Sequence, residues 1–174
     1  MKKSELTVRD AVKFARHDFL NELQLILMHI DLDNAADART KILDTTERMR
    51  KEAHLSGLGL PALETWILTF DWNQAVYTKH LDTNIGSSAT TRKADDQVIV
   101  TFLNKLFLEL ENNTDPFNEN IVDIVVSASE ADWKVTLTLP GQTAPIEWSP
   151  AEEDDWTAEL YKNEEYWTFT ISGQ

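Results

Sequence analysis

The 174-residue sequence contains no cysteine, which excludes disulfides, thiolate metal sites and cysteine nucleophiles together. Glycine is scarce, with five in the whole chain, so there is little material for loops whose backbone must wrap closely around phosphates. Long apolar runs are missing too. The most apolar stretch, residues 23–30, is interrupted by Gln24 and His29 and falls far short of a bilayer span. The opening Met-Lys-Lys-Ser-Glu-Leu-Thr leads into charged and polar positions, where a secretion signal needs an apolar centre. A cytoplasmic protein with no membrane partner is therefore expected. Basic residues are outnumbered, 16 Lys+Arg against 30 Asp+Glu, for a net charge of -14. Such a surface repels phosphate backbones and argues against nucleic acid as the main partner.

What is present belongs to a folded chain: 42% hydrophobic residues and six tryptophans can build a core that a disordered sequence lacks. The length suits a helical module joined to one compact domain. Charge divides the chain in the same way. Residues 1–58 carry ten basic and ten acidic side chains, so the whole -14 resides in residues 59–174. We therefore expect two domains, 1–59 and 60–174.

In the first part, Thr7 followed by Asp10 reads as an N-cap with an acid in the first turn, and a helical pattern runs to about Asp31 with no Gly or Pro. The polar stretch 31–36 reads as a turn, and Asn34 with Asp37 as the capped start of a second helix. That helix places Ile42, Thr46, Met49, Ala53 and Ser56 on one stripe and should stop at Gly57 or Gly59, before Pro61. On the first helix Val12, Ala15, Phe19, Leu23, Ile26 and Ile30 form a stripe opposite His17, with Phe14, Leu20, Leu25 and Leu27 on its flanks. One hairpin cannot bury so wide an arc. Two hairpins paired as a four-helix bundle can, so a homodimer is expected.

After Pro61 the pattern becomes mixed. Residues 62–70 predict a short helix, 75–85 a strand, and 95–111 a strongly apolar helix. Residues 121–127 and 133–139 alternate as a hairpin of antiparallel strands, and 165–172 as a last strand. Between them the acidic segment 147–165 suggests a short helix near 154–161. No repeats and no low-complexity linker occur.

The chemistry centres on the run Arg16-His17-Asp18-Phe19-Leu20-Asn21-Glu22-Leu23-Gln24-Leu25-Ile26. Asp10, Lys13, Asn21 and Gln24 lie within about 40° of His17 on a 3.6-residue helix, a polar strip along an otherwise apolar element. Neutral imidazole is nucleophilic near pH 7, and its phosphoramidate passes a phosphoryl group onward reversibly, provided that an acceptor can approach in line. The strip supplies that access. Lys13 and Arg16 suit the phosphoryl oxygens, Asp18 the ring tautomer, and Asn21 an incoming partner. An isolated helical histidine is usually structural, and His29, His54 and His80 are read that way. None has a second ligand at helical spacing, so no metal site is expected.

The run His-Asp-Phe-Leu-Asn-Glu-Leu-Gln-Leu-Ile, residues 17–26, resembles the histidine box of the sporulation initiation phosphotransferase B family and the related boxes of citrate-type sensor kinases. Leu68-Thr-Phe-Asp-Trp72 and Lys105-Leu106-Phe107 are similar to segments further along that family. One departure falls at Met28, where the family box often has Gly; it lies on the histidine face and bears on docking.

The resemblance implies an α+β fold: a long helical hairpin forming a dimeric four-helix bundle, then an α/β domain similar to a degenerate histidine-kinase ATPase domain. It implies a phosphotransferase that moves a phosphoryl group between the aspartates of two response regulators through His17, in initiation of sporulation. It brings no cofactor of its own, the magnesium coming with the regulator. A kinase of this type needs a second N-box Asn and an Asp-x-Gly-x-Gly loop. Here Asn104 is followed four residues later by Leu108, and Pro140-Gly141-Gln142 stands in the loop's place, so autokinase activity is not expected. Two rivals remain: a dimeric protein that only binds regulators, and a regulator phosphatase using Asp18 or Asn21 to place water. The charge division favours regulator docking on the neutral hairpin, since regulators present acidic residues around their phosphorylated aspartate.

Overall fold

A computed structural model describes residues 6–74, 76–86, 92–141, 149 and 151–174. The chain divides into two compact units, Met1–Arg50 and Lys51–Gln174.

The first unit is a helical hairpin. Helix α1 spans Val8–Asp31 and begins with a reciprocal capping box, in which the Thr7 hydroxyl accepts from the Asp10 amide and the Asp10 carboxylate accepts from the Thr7 amide. This satisfies two of the amides that every helix start leaves open. The turn that follows places Asp33 at φ 55, a left-handed conformation that Asp tolerates better than most residues. Helix α2, Ala35–His54, starts where Asn34 Oδ1 accepts from the Asp37 amide at 3.4 Å. The α-helical pattern stops at His54, sooner than Gly57 or Gly59, because a single 3₁₀ turn, Leu55–Gly57, tightens the end and Gly59 takes φ 78.

The burial within this hairpin is unusual for helices of such length. No residue of α1 is buried, and Ala38 is the one buried residue of α2. Besides the capping residues, the partly shielded positions of α1 are Ala11, Asp18, Glu22, Ile26 and His29, a stripe centred about 120° round the helix from His17. In the single chain the apolar stripe expected to form the core of a paired bundle leaves Val12, Phe19, Leu23 and Ile30 at 51, 48, 46 and 54% exposure.

The second unit is one six-stranded sheet covered on one face by helices. Helix α3, Pro61–Leu68, opens with proline at a position where no amide is needed and breaks at Thr69 into the short α4, Phe70–Asn73. The expected strand from residue 75 is observed as β1, Thr78–Ile85, Ala75 itself lying outside the described residues. Helix α5, Asp96–Asn113, is capped by the Asp95 carboxylate, which accepts from the Gln97 amide at 3.1 Å. Strands β2, Ile121–Ala128, and β3, Trp133–Pro140, form the expected antiparallel hairpin. The short β4, Ala151–Glu152, then precedes β5, Trp156–Lys162, and β6, Tyr166–Gly173. The segment 154–161, expected as a short helix, is therefore mostly strand. Trp156 and Ala158 alternate inward, a period of two that the acidic composition obscured.

The sheet order is β1-β2-β3-β6-β5-β4, with β1 and β2 parallel and every other pair antiparallel. The parallel pair is joined through α5, as parallel strands need a long crossover. One face supplies Val122, Ile124, Val126, Val135, Leu137, Phe169 and Ile171 to a core completed by Leu63, Ile67, Ile99, Leu103 and Phe107. An aromatic cluster ties the helices together: Phe107 meets Phe70 and Tyr77 edge-on, with ring centres 5.2 and 5.6 Å away. Leu55, Leu58 and Leu60 are buried in the same core, so the chain leaving α2 is anchored to this unit.

Candidate functional site

His17 lies midway along α1 with its side chain 70% exposed, on the side away from the shielded stripe. Its Nδ1 has two neighbours. The Asp18 carboxylate approaches to 3.4 Å and the Asn21 side-chain amide, one turn on, to 3.2 Å. These neighbours select different tautomers. Asp18 can only accept, so it favours hydrogen on Nδ1 and leaves the Nε2 lone pair free to attack an electrophile. Asn21 donates through nitrogen to a bare Nδ1, or with its amide turned accepts from Nδ1–H through oxygen.

The remaining residues of the expected site stand around this ring without engaging it. Lys13, Arg16 and Gln24 are exposed and make no hydrogen bond or ion pair with His17. Asp10, the fifth member of the strip, is committed to the helix cap. Met28 is 46% exposed on the same face. The arrangement is an open imidazole with a carboxylate and a side-chain amide at Nδ1 and two exposed cations on the same helix. Among the described residues there is no group of three metal-binding side chains, and no helix is long and apolar enough to cross a membrane.

One residue of the histidine run does something that its position did not announce. Glu22 accepts from Thr45 Oγ1 at 3.1 Å and from Arg48 Nη2 at 3.2 Å, and pairs with Lys41 Nζ at 2.8 Å. Burial pushes its carboxyl up, yet the hydrogen bonds from Lys41 and Thr45 and the charges of Lys41 and Arg48 outweigh that and hold it below 4.5. The signal for it lay in α2, where 41, 45 and 48 share one helical stripe and all carry donors.

In the second unit Asn104, the residue placed like a first N-box amide, accepts from the Trp66 indole at 2.9 Å. Leu108 follows one turn later and is 57% exposed. Gly141 has the backbone of Glu164 and Glu165 against it, and Gln142 lies outside the described residues. At these two positions the Asn104 side-chain oxygen is engaged with the Trp66 indole, and Leu108 offers no ligand atom.

Fold and site define a histidine-bearing helical hairpin linked to a one-sided mixed sheet. Comparison with known proteins finds relatives for both parts of the chain. Residues 1–58 match the family model described as the sensor kinase SpoOB-type alpha-helical domain. The chain is 25% identical over 158 residues to sporulation initiation phosphotransferase B of Bacillus subtilis (strain 168), covering 91% of this chain and 80% of that protein. The chain is thus similar to that phosphotransferase over most of its length, and its first 58 residues resemble the helical domain of the SpoOB-type sensor kinases. Among solved structures, the catalytic domain of histidine kinase ThkA covers 64% of this chain and 88% of its own at 13% identity and a TM-score of 0.44. The Acinetobacter baumannii histidine kinase AdeS covers 91% and 97% at 14% identity and 0.43.

Proposed function

We propose that this protein is a phosphorelay phosphotransferase that carries a phosphoryl group on His17 between the aspartates of two response regulators, in initiation of sporulation. The observation that carries the reading is the exposed imidazole with Asp18 at Nδ1, in a chain similar to a protein named as a phosphotransferase. Nε2 attacks the phosphorus of the first regulator's aspartyl phosphate, the N–P bond forms and the acyl O–P bond breaks, and the aspartate leaves as a carboxylate. Nδ1 keeps its hydrogen throughout, and Asp18 offsets the positive charge that the phosphorylated ring develops. The second regulator reverses the step with its own aspartate. Each regulator brings the magnesium ion, while Lys13 and Arg16 are within reach of the phosphoryl oxygens as they pass.

The same reading makes the working unit a homodimer. Val12, Phe19, Leu23 and Ile30 recur at spacings of seven, four and seven on α1, and Ile42, Thr46, Met49 and Ala53 at four, three and four on α2. Their exposure leaves an apolar seam that a second hairpin covers, closing a four-helix bundle with His17 on its outside.

The test is transfer of labelled phosphate from a phosphorylated response regulator to this protein, with His17→Gln and ATP alone run beside it. A base-stable, acid-labile label that disappears in the variant supports the carrier. Label acquired from ATP alone would make it a kinase. Regulators that bind without labelling it sink the proposal, in favour of a phosphatase if their own phosphate is lost faster and of a purely binding protein if it is not.

A further inference from the structure

We infer that Glu22 is a positioning residue for phosphotransfer, fixing the register of α1 against α2 and thereby the direction in which His17 is presented. This inference rests on the phosphotransfer reading of His17. Glu22 is five residues beyond His17, about 140° round the helix, and it points into the hairpin while the histidine points out. Three donors of α2 converge on its two oxygens: Lys41 and Thr45 on Oε2, Arg48 on Oε1. They span two turns of α2. A shift of α1 by one turn in either direction, or a rotation of the helix, separates Glu22 from at least two of them.

Such a lock is needed because the apolar side chains do not supply one. They surround much of α1, so a rotated helix still presents apolar side chains to its neighbours. Burial of that kind is non-directional, whereas a shielded polar contact specifies one register among several of similar stability. The shielded stripe of α1 bears this out in its composition, since Asp18, Glu22 and His29 share it with Ala11 and Ile26. The α1–α2 contact is the polar, specified one, and the outer seam the apolar one. Rotating α1 re-aims Nε2, and a displacement of about 1 Å from the in-line position costs on the order of a hundredfold in rate.

The test compares the wild type with Glu22→Gln, which keeps the shape and removes the charge, and with Glu22→Asp. Single-turnover transfer from a phosphorylated regulator is measured well below the melting temperature, together with regulator affinity. Because the chain lacks cysteine, nitroxide labels at Arg9→Cys and Asp44→Cys report the α1–α2 distance, with labelled chains diluted into unlabelled ones. In Glu22→Gln the transfer rate should fall at least about tenfold with regulator affinity unchanged, and the distance distribution should broaden or split. Glu22→Asp should recover part of both. A single sharp distance and an unchanged transfer rate in Glu22→Gln, with only a lower melting temperature, would overturn the inference and leave Glu22 an ordinary stabilising residue. If the wild type itself transfers nothing, the phosphotransfer reading fails, and the register claim is then decided by the distance distribution alone.

Discussion

The indole N–H of Trp66 donates to Oδ1 of Asn104 at 2.9 Å, tying α3 to α5 through the residue that the sequence compares with a first N-box amide. Trp66 is 6% exposed and its ring lies 5.3 Å from Phe70 and 5.5 Å from Phe107, so the amide is held by a residue that is itself fixed in the core. Two outcomes are expected. Trp66→Phe should lower unfolding free energy by about 1–3 kcal/mol, combining a lost hydrogen bond with lost contact area. ATP with magnesium should give no heat of binding to the wild type by calorimetry. Micromolar nucleotide affinity would contradict the assignment of Asn104 to structure.

Glu22 gives a pH dependence with a definite sign. Its carboxyl is held below the ordinary 4.5 in the folded protein, so the contribution of its pairs is complete above pH 4.5 and is lost as pH falls through the folded value. Urea unfolding of wild type and Glu22→Gln should differ by about 1–2 kcal/mol near neutral pH. The gap should narrow below pH 4.5 and close in stronger acid. A gap that stayed constant, or widened on acidification, would show that the charge on Glu22 contributes nothing through Lys41, Thr45 and Arg48.

Much of this fold is written locally. Thr7 and Asp10 cap α1 from positions only three residues apart, and the same holds for Asn34 and Asp37 before α2. The hairpin of β2 and β3 was legible for a similar reason: alternation in Val122, Ile124 and Val126 needs no distant partner to be seen. Strand β5 was not, since Trp156 and Ala158 are inward residues inside an acidic segment, and only pairing with β6 turns them to the core. His17 with Asp18 and Asn21 could be found at helical spacing on one element. Glu22 could not, because its meaning lies with Lys41, Thr45 and Arg48, nineteen to twenty-six residues away.

Gly173 occupies a place with no room for a side chain. A β-carbon there would stand 2.4 Å from the Asp155 carbonyl oxygen and 2.9 Å from the Trp133 ring. The first neighbour is backbone and the second a ring only 1% exposed, so neither can give way cheaply. Gly173→Ala should destabilise the protein by roughly 1–3 kcal/mol, as other insertions into packed sites do, and should alter tryptophan fluorescence as β6 parts from β5. Unchanged stability would show that the end of β6 is free to move.

The exposed seam of the hairpin makes the strongest prediction about assembly. Phe19 and Leu23 on α1 and Ile42 and Met49 on α2 are each between 45 and 48% exposed, on stripes spaced as a coiled-coil interface requires. In a bundle of two hairpins each becomes a core position, where an unpaired carboxylate costs several kcal/mol once per chain. Leu23→Asp should therefore weaken self-association by more than about a hundredfold, turning a dimer into a monomer in sedimentation equilibrium. Leu108→Asp, on the exposed face of α5 at 57% exposure, changes apolar area similarly but lies in the other unit and should leave the dimer intact. A wild type that sediments as a monomer would remove the bundle from the proposal. A Leu23→Asp variant that stays dimeric would move the interface elsewhere, and the outward direction of His17 would then have to be derived from Glu22 and α2 alone.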